Sequence, residues 1–148
     1  MKILIIHEPN LNILGKRNKV IYGEKSLDEI NELIEQHATD IDAEVTIIQA
    51  NAEGDLVDFI QKEAGGADGI IINAGALTHY GLSLRDALLD TTLPVVEVHL
   101  SNIYAREEFR QRSVIAPIAK GQVTGLGWRG YIAALRTLVA DLRGKAWE

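Results

Sequence analysis

Glu97 and His99, at the end of an apolar run, have the types and spacing to move a proton. Side chains two apart on a strand point to the same face, so in Val95-Val96-Glu97-Val98-His99 a carboxylate and an imidazole lie side by side. The carboxylate can fix the tautomer of the ring and raise its basicity. Leu100, Ser101 and Asn102 follow, with hydroxyl and amide caps for a helix expected from Asn102 to about Gln111, whose free N–H groups would bind an anion. Other polar residues fall at comparable places: Asn10, Asn12, Arg17 and Tyr22 after the first apolar run, and Asn73 with His79 after the third. Arg106 and Arg110, four apart, would share a face of the expected helix. Each also has a plain reading. Asn10 and Asn12 suit loop backbone, Tyr22 a packed aromatic before a turn, and His79 a cap or a solvent position. Arg110 suits a surface pair with a neighbouring glutamate, and Asp86 beside Arg85 reads as an exposed helix acid. Asn73 stands apart, because a buried strand ending in an amide and then Ala-Gly-Ala invites something to approach that backbone, although a left-handed turn also accounts for the glycine. Convergence of these groups at one sheet edge favours chemistry.

The elements that must position them alternate regularly. Ile3 to Ile6 is a continuous apolar run, as expected for a strand covered on both faces. A long connection from His7 to Gly23 follows, broken by Pro9 and Gly15 and carrying a basic tip at Lys16, Arg17, Asn18 and Lys19. Ser26-Leu27-Asp28-Glu29 reads as a capping box for a helix with Leu27, Ile30, Leu33, Ile34 and Ile41 as its apolar stripe. Further strands are expected at Glu44 to Gln49, Gly69 to Asn73, Val95 to His99 and, more weakly, Gly121 to Gly125. Helices lie between them around Leu56 to Ile60 and Leu84 to Leu88, and a last one runs through Tyr131, Leu135, Leu138 and Leu142. This pattern predicts a single doubly wound α/β domain over residues 1–148, a five-stranded parallel sheet with ligands bound beyond the carboxyl ends of its strands.

Composition narrows the function. A net charge of −6 argues against a nucleic-acid binder, since such contacts depend on Lys and Arg at phosphates. With no cysteine, thiol catalysis and thiolate metal sites are excluded. The four histidines have no paired metal-ligand spacing, and the turn Glu8-Pro9-Asn10-Leu11-Asn12 lacks the loop a nucleotide or flavin would want, so neither metal nor cofactor is expected. A phosphoacceptor domain would need an aspartate where Asn73 stands. No apolar run approaches the roughly 20 residues of a membrane span. The apolar start stops at His7-Glu8-Pro9, short of a signal peptide, and the expectation is a cytoplasmic protein without membrane partners.

Several separated motifs, in order, resemble type II 3-dehydroquinate dehydratase: Pro9-Asn10-Leu11-Asn12-x-Leu14-Gly15-x-Arg17, Tyr22-Gly23, Asn73-x-Gly75-Ala76-x-Thr78-His79 and Glu97-Val98-His99-x-Ser101-Asn102 through Arg110. The resemblance implies a flavodoxin-like fold, a homododecamer built as a tetramer of trimers, and removal of water from 3-dehydroquinate through an enolate, in the shikimate or quinate pathway. It also assigns roles. Tyr22 would be the base, with Arg17 in a lid at about residues 15–23 as its cation, since a free tyrosine ionises near pH 10. Asn12 would hold the water at the enolate oxygen, and His99, oriented by Glu97, would protonate the leaving hydroxyl. Leu100 and Ser101 would take the substrate carboxylate, Asn73, His79 and Arg110 its hydroxyls, and Asp86 would reach the site from an adjoining subunit.

The sequence departs from the family pattern at Glu8, in place of glycine, and at Ala74, in place of proline. Asn18-Lys19 replace Glu-Pro in the lid, Ala52 a histidine, and Tyr80-Gly81 a Thr-Ser pair. Two other classes fit the fold: a non-enzymatic binding or signalling module and a flavin electron carrier. Retention of both a base and an acid favours the enzyme.

Overall fold

The apolar runs form the sheet because each has two layers to bury. In the computed structural model, which describes residues 1–144, the strands are β1 (Lys2–His7), β2 (Glu44–Gln49), β3 (Gly69–Asn73), β4 (Val95–His99) and β5 (Gly121–Thr124). They pair in the order β2-β1-β3-β4-β5, all parallel, which is the flavodoxin-like arrangement predicted. Lys145 to Glu148, the end of the expected domain, lie outside the described residues.

Successive side chains leave opposite faces of the sheet. Ile3, Ile5, Ile71, Val96 and Val98 pack under α2 (Leu27–Asp40) and α5 (Arg129–Leu142). Leu4, Ile6, Ile70, Ile72 and Val95 pack under α3 (Glu53–Glu63) and α4 (Leu82–Asp90). Ser26 caps α2 as predicted: its hydroxyl accepts from the Glu29 amide at 3.2 Å, and the Glu29 carboxylate accepts from the Ser26 amide at 2.8 Å.

Two stretches differ from expectation. Residues 102–111 form two short 3₁₀ turns, Ile103–Ala105 and Glu108–Gln111, instead of one α-helix. Asn102 does cap the first, accepting from the Tyr104 amide at 3.1 Å. Ile103 is the only buried residue of either turn, while Tyr104 and Phe109 are exposed. Without an apolar stripe to hold against the core, nothing carries a helix beyond its first turn. The helix N-terminus expected as an anion site is therefore absent. The connection after β1 is also more ordered than a loop. His7 belongs to the strand, Leu11–Ile13 is a 3₁₀ turn, and Lys19–Tyr22 is a single helical turn, α1, capped by Asn18 at 3.0 Å.

Candidate active site

The carboxyl ends of β1, β3 and β4 and the chain from Arg17 to Tyr22 enclose a cavity of about 220 Å³. Its walls include Glu8, Asn10, Arg17, Tyr22, Asn73, His79, His99, Leu100, Ser101, Arg106 and Arg110. A larger recess of about 420 Å³ shares Tyr22, Leu100, Ser101 and Arg106, but Asn73, His79, His99 and Arg110 line the smaller one alone, so the groups able to do chemistry meet there.

His99 and Glu97 share a strand face, and His99 Nε2 donates to Glu97 Oε1 at 2.6 Å. A carboxylate only accepts, so Nε2 carries the proton and Nδ1 is the nitrogen free to exchange one with a ligand. Glu97 is fully buried. Its oxygens also accept from the Thr78 hydroxyl, from the Ser113 hydroxyl at 3.0 Å and from Gln122 Nε2 at 3.0 Å. Burial alone would raise its carboxyl. The hydrogen bonds from His99, Thr78 and Ser113 and the His99 charge outweigh that and hold it below the ordinary range. Glu97 thus stays ionised and fixes the imidazole. Gln122 reaches it because the parallel register sets it beside Glu97 on β5.

Opposite stands Tyr22, at the end of α1. The Arg17 guanidinium lies 3.9 Å from its ring centroid and that of Arg106 5.4 Å away. Arg106, on the extended link between the two 3₁₀ turns, also donates to Ser101 Oγ at 3.2 Å. Arg110 lines the cavity from the second turn, braced by Glu107 at 2.7 Å. The two arginines reach the site from separate turns, not along one helix face. His79 Nδ1 donates to the Arg112 carbonyl at 2.6 Å, which leaves Nε2 as the ring's remaining nitrogen. The side-chain Oδ1 of Asn73 accepts from the Gly75 amide at 3.2 Å, and its Nδ2 is buried without a hydrogen-bond partner.

Beneath Asn73 runs a buried polar chain. His7 Nε2 meets Asn31 Oδ1 at 2.8 Å, and His7 Nδ1 takes a hydrogen bond of 2.7 Å from the Tyr131 hydroxyl. Burial lowers the His7 imidazole to about 4, against the Asn31 hydrogen bond, so the ring is neutral. Burial pushes the Tyr131 hydroxyl well above its ordinary range, while the Asn73 side chain acts to lower it.

Most residues expected at the site from this chain do come together here; Asn12 does not, and Asp86, expected to serve an adjoining subunit, lies elsewhere. Asn12 is exposed and faces a separate recess with Ser26, Asn31 and Gln49, whereas Asn10 lines the cavity. The reason is local. Asn10 adopts a left-handed conformation (φ 72°), its amide held by Asn51 Oδ1 at 2.9 Å, and the 3₁₀ turn that begins at Leu11 carries Asn12 away. Asp86 lies on α4, exposed and paired with Arg85 at 3.0 Å, away from this chain's own cavity. Sequence reasoning missed Arg106, Thr78, Ser113 and Gln122 as parts of the site. Of these, only Arg106 and Thr78 stood inside motifs that could have flagged them.

The family described as dehydroquinase class II matches residues 1–139. The chain is 57% identical over 139 residues to 3-dehydroquinate dehydratase from Roseiflexus castenholzii, covering 94% of this chain and 88% of that protein. It is 54% identical over 138 residues to the enzyme of the same name from Halothermothrix orenii, covering 93% of each. Among solved structures, type II dehydroquinase from Butyrivibrio crossotus superposes with a TM-score of 0.92 at 45% identity, covering 94% of this chain and 97% of that one. A 3-dehydroquinate dehydratase-like protein from Bifidobacterium longum gives 0.72 at 30% identity, covering 96% and 98%. With a five-stranded sheet of the same fold and identity over nearly its whole length, the chain belongs to the class II dehydroquinase family.

Proposed function

We infer that this chain is a 3-dehydroquinate dehydratase, a hydro-lyase that forms 3-dehydroshikimate and water by anti elimination. The observation that carries the reading is that a carboxylate-oriented imidazole and a tyrosine flanked by two guanidiniums face one cavity. Tyr22, as phenolate, takes the C2 proton, and Arg17 and Arg106 supply the positive charge that such a base needs. The C2–H electron pair forms the enolate of the C3 carbonyl. Asn10, in place of Asn12, is the amide available to hold a water at that oxygen. As the enolate collapses, the C1–O bond breaks, a C1–C2 double bond forms, and His99 protonates the departing hydroxyl to give water. Glu97 keeps the imidazole oriented through both steps.

Ser101, the backbone at Leu100 and Arg106 offer donors to the substrate carboxylate; Asn73 Nδ2, His79 and Arg110 are placed for its hydroxyls. The closure of α1 over the cavity excludes water. The reading extends to a homododecamer, a tetramer of trimers in which Asp86 reaches a neighbouring cavity, and to a cytoplasmic enzyme of aromatic amino-acid biosynthesis or quinate use. No helix among the described residues is long and apolar enough to cross a membrane. Incubation with 3-dehydroquinate should produce the ultraviolet absorbance of the conjugated product. No growth in absorbance at saturating substrate would overturn the reading.

A further inference from the structure

Glu8 has no part in the elimination just described, yet it is buried in the cavity wall. It follows β1 directly, is 8% exposed, and its Oε1 lies 3.7 Å from Arg17 Nη1, a buried nitrogen with no hydrogen-bond partner of its own. The carboxyl group lies over the turn after β3. Gly75 has φ +53°, and a side chain there would overlap the Glu8 carboxyl group, while the Ala76 amide is turned towards it. A backbone N–H, a guanidinium and the open space above a glycine are what a bound anion would use, and here a side chain of the protein uses them.

The other charged walls of the cavity are cationic or titratable towards it: Arg17, Arg106 and Arg110, with His79 and His99. Glu97 lies beneath His99 with its oxygens taken by four donors. Among the described residues, Glu8 is the one carboxylate that lines the cavity. We propose that Glu8 is a positioning residue, an internal counter-ion that holds Arg17 over Tyr22 while the site is empty and opposes the entry of an anionic substrate into the same cavity. The proposal rests on the reading of this cavity as a substrate site. Two carboxylates in one low-dielectric cavity repel, so the substrate binds best when Glu8 is neutral.

Burial raises the Glu8 carboxyl to about 7, against the lowering effects of Arg17, His99, the Ala76 amide and Arg106. From α5, Tyr131 also feels the Glu8 charge, which adds to the rise of its hydroxyl. Glu8 therefore gains its charge within the neutral range, and substrate affinity weakens as pH rises through it.

The test is calorimetric titration of the full chain with quinate, a saturated carboxylate of the same ring that does not undergo the reaction. For wild type, the dissociation constant should weaken about tenfold between about pH 6 and about pH 8, the consequence of a binding-competent neutral form whose fraction falls tenfold per pH unit above its midpoint. Glu8→Gln keeps the shape without the charge, and its affinity should stay within about twofold of the wild-type value at pH 6 across the same range. An equal pH dependence in Glu8→Gln, weaker binding by that variant at about pH 6, or no quinate binding by wild type at either pH would each overturn the proposal. Binding that behaves as expected in a protein that fails to turn over 3-dehydroquinate would instead remove the proposed reaction and leave the role of Glu8 standing.

Discussion

His7 and Glu8 are neighbours in the chain whose ionisations pull stability in opposite directions. His7 is held neutral, its imidazole lowered from 6.5 to about 4 by burial. The unfolded ring takes up a proton first as pH falls, so this contribution is complete above pH 6.5 and is lost as pH drops through about 4. Glu8 runs the other way. Its carboxyl is raised by burial from 4.5 to about 7, so its contribution is complete below pH 4.5 and is lost as pH rises through about 7. Each displacement corresponds to about 3 kcal/mol, at 1.36 kcal/mol per pH unit. Between pH 4.5 and 6.5 the two slopes cancel in wild type. Glu8→Gln removes one of them. Relative to wild type, the variant should gain about 3 kcal/mol between about pH 4.5 and about pH 7.5, with all other titrations cancelling in the difference. Urea unfolding followed by circular dichroism at one protein concentration measures this. With a urea slope of about 1–3 kcal/mol/M, the difference between the two midpoints should change by more than about 1 M across that range. A difference that stays constant with pH, or a variant less stable than wild type at about pH 7.5, would refute the account of Glu8 as a buried charge.

Tyr22→Phe should lose roughly 100- to 10,000-fold in turnover with an unchanged circular-dichroism spectrum, since only the proton acceptor is removed. Glu97→Gln should lower kcat on the order of 100-fold with a smaller change in KM, because His99 stays in place but loses the carboxylate that sets its proton; steady-state kinetics separates the two. Tyr131→Phe leaves His7 Nδ1 buried without its donor and should cost about 1–3 kcal/mol in chemical denaturation.

Legibility followed distance along the chain. β1 and β3 were readable because both their faces are buried, which leaves an unbroken apolar run, and the start of α2 because a capping box lies within four residues. His99 and Glu97 were readable from the strand period alone. Residues 102–111 differ from the sequence expectation because a good capping residue, Asn102, precedes a segment that has no buried face to sustain a helix. The choice between Asn10 and Asn12 depends on one left-handed residue, which neither asparagine betrays by its type. The inward turn of Glu8 was visible only as a departure from the family pattern, because it requires Gly75 and Arg17, which the fold brings from β3 and the lid. Ser113 and Gln122 find Glu97 from 16 and 25 residues away.

The two groups proposed to carry the elimination are anchored very unequally. The proposed acid, His99, sits on a fully buried interior strand, tied through Glu97 to the segments bearing Thr78, Ser113 and Gln122. The proposed base, Tyr22, sits on a four-residue helix with no buried residue, where Val20 is 96% exposed. Opening of α1 alone therefore breaks few contacts and leaves the sheet intact. Amide hydrogens at Tyr22 and Gly23 should exchange long before those of β4, and rising denaturant should silence the enzyme while its circular dichroism is still native. With Tyr22 as the base, catalytic competence becomes a property of a local equilibrium at one helical turn, set independently of the stability of the domain that carries it.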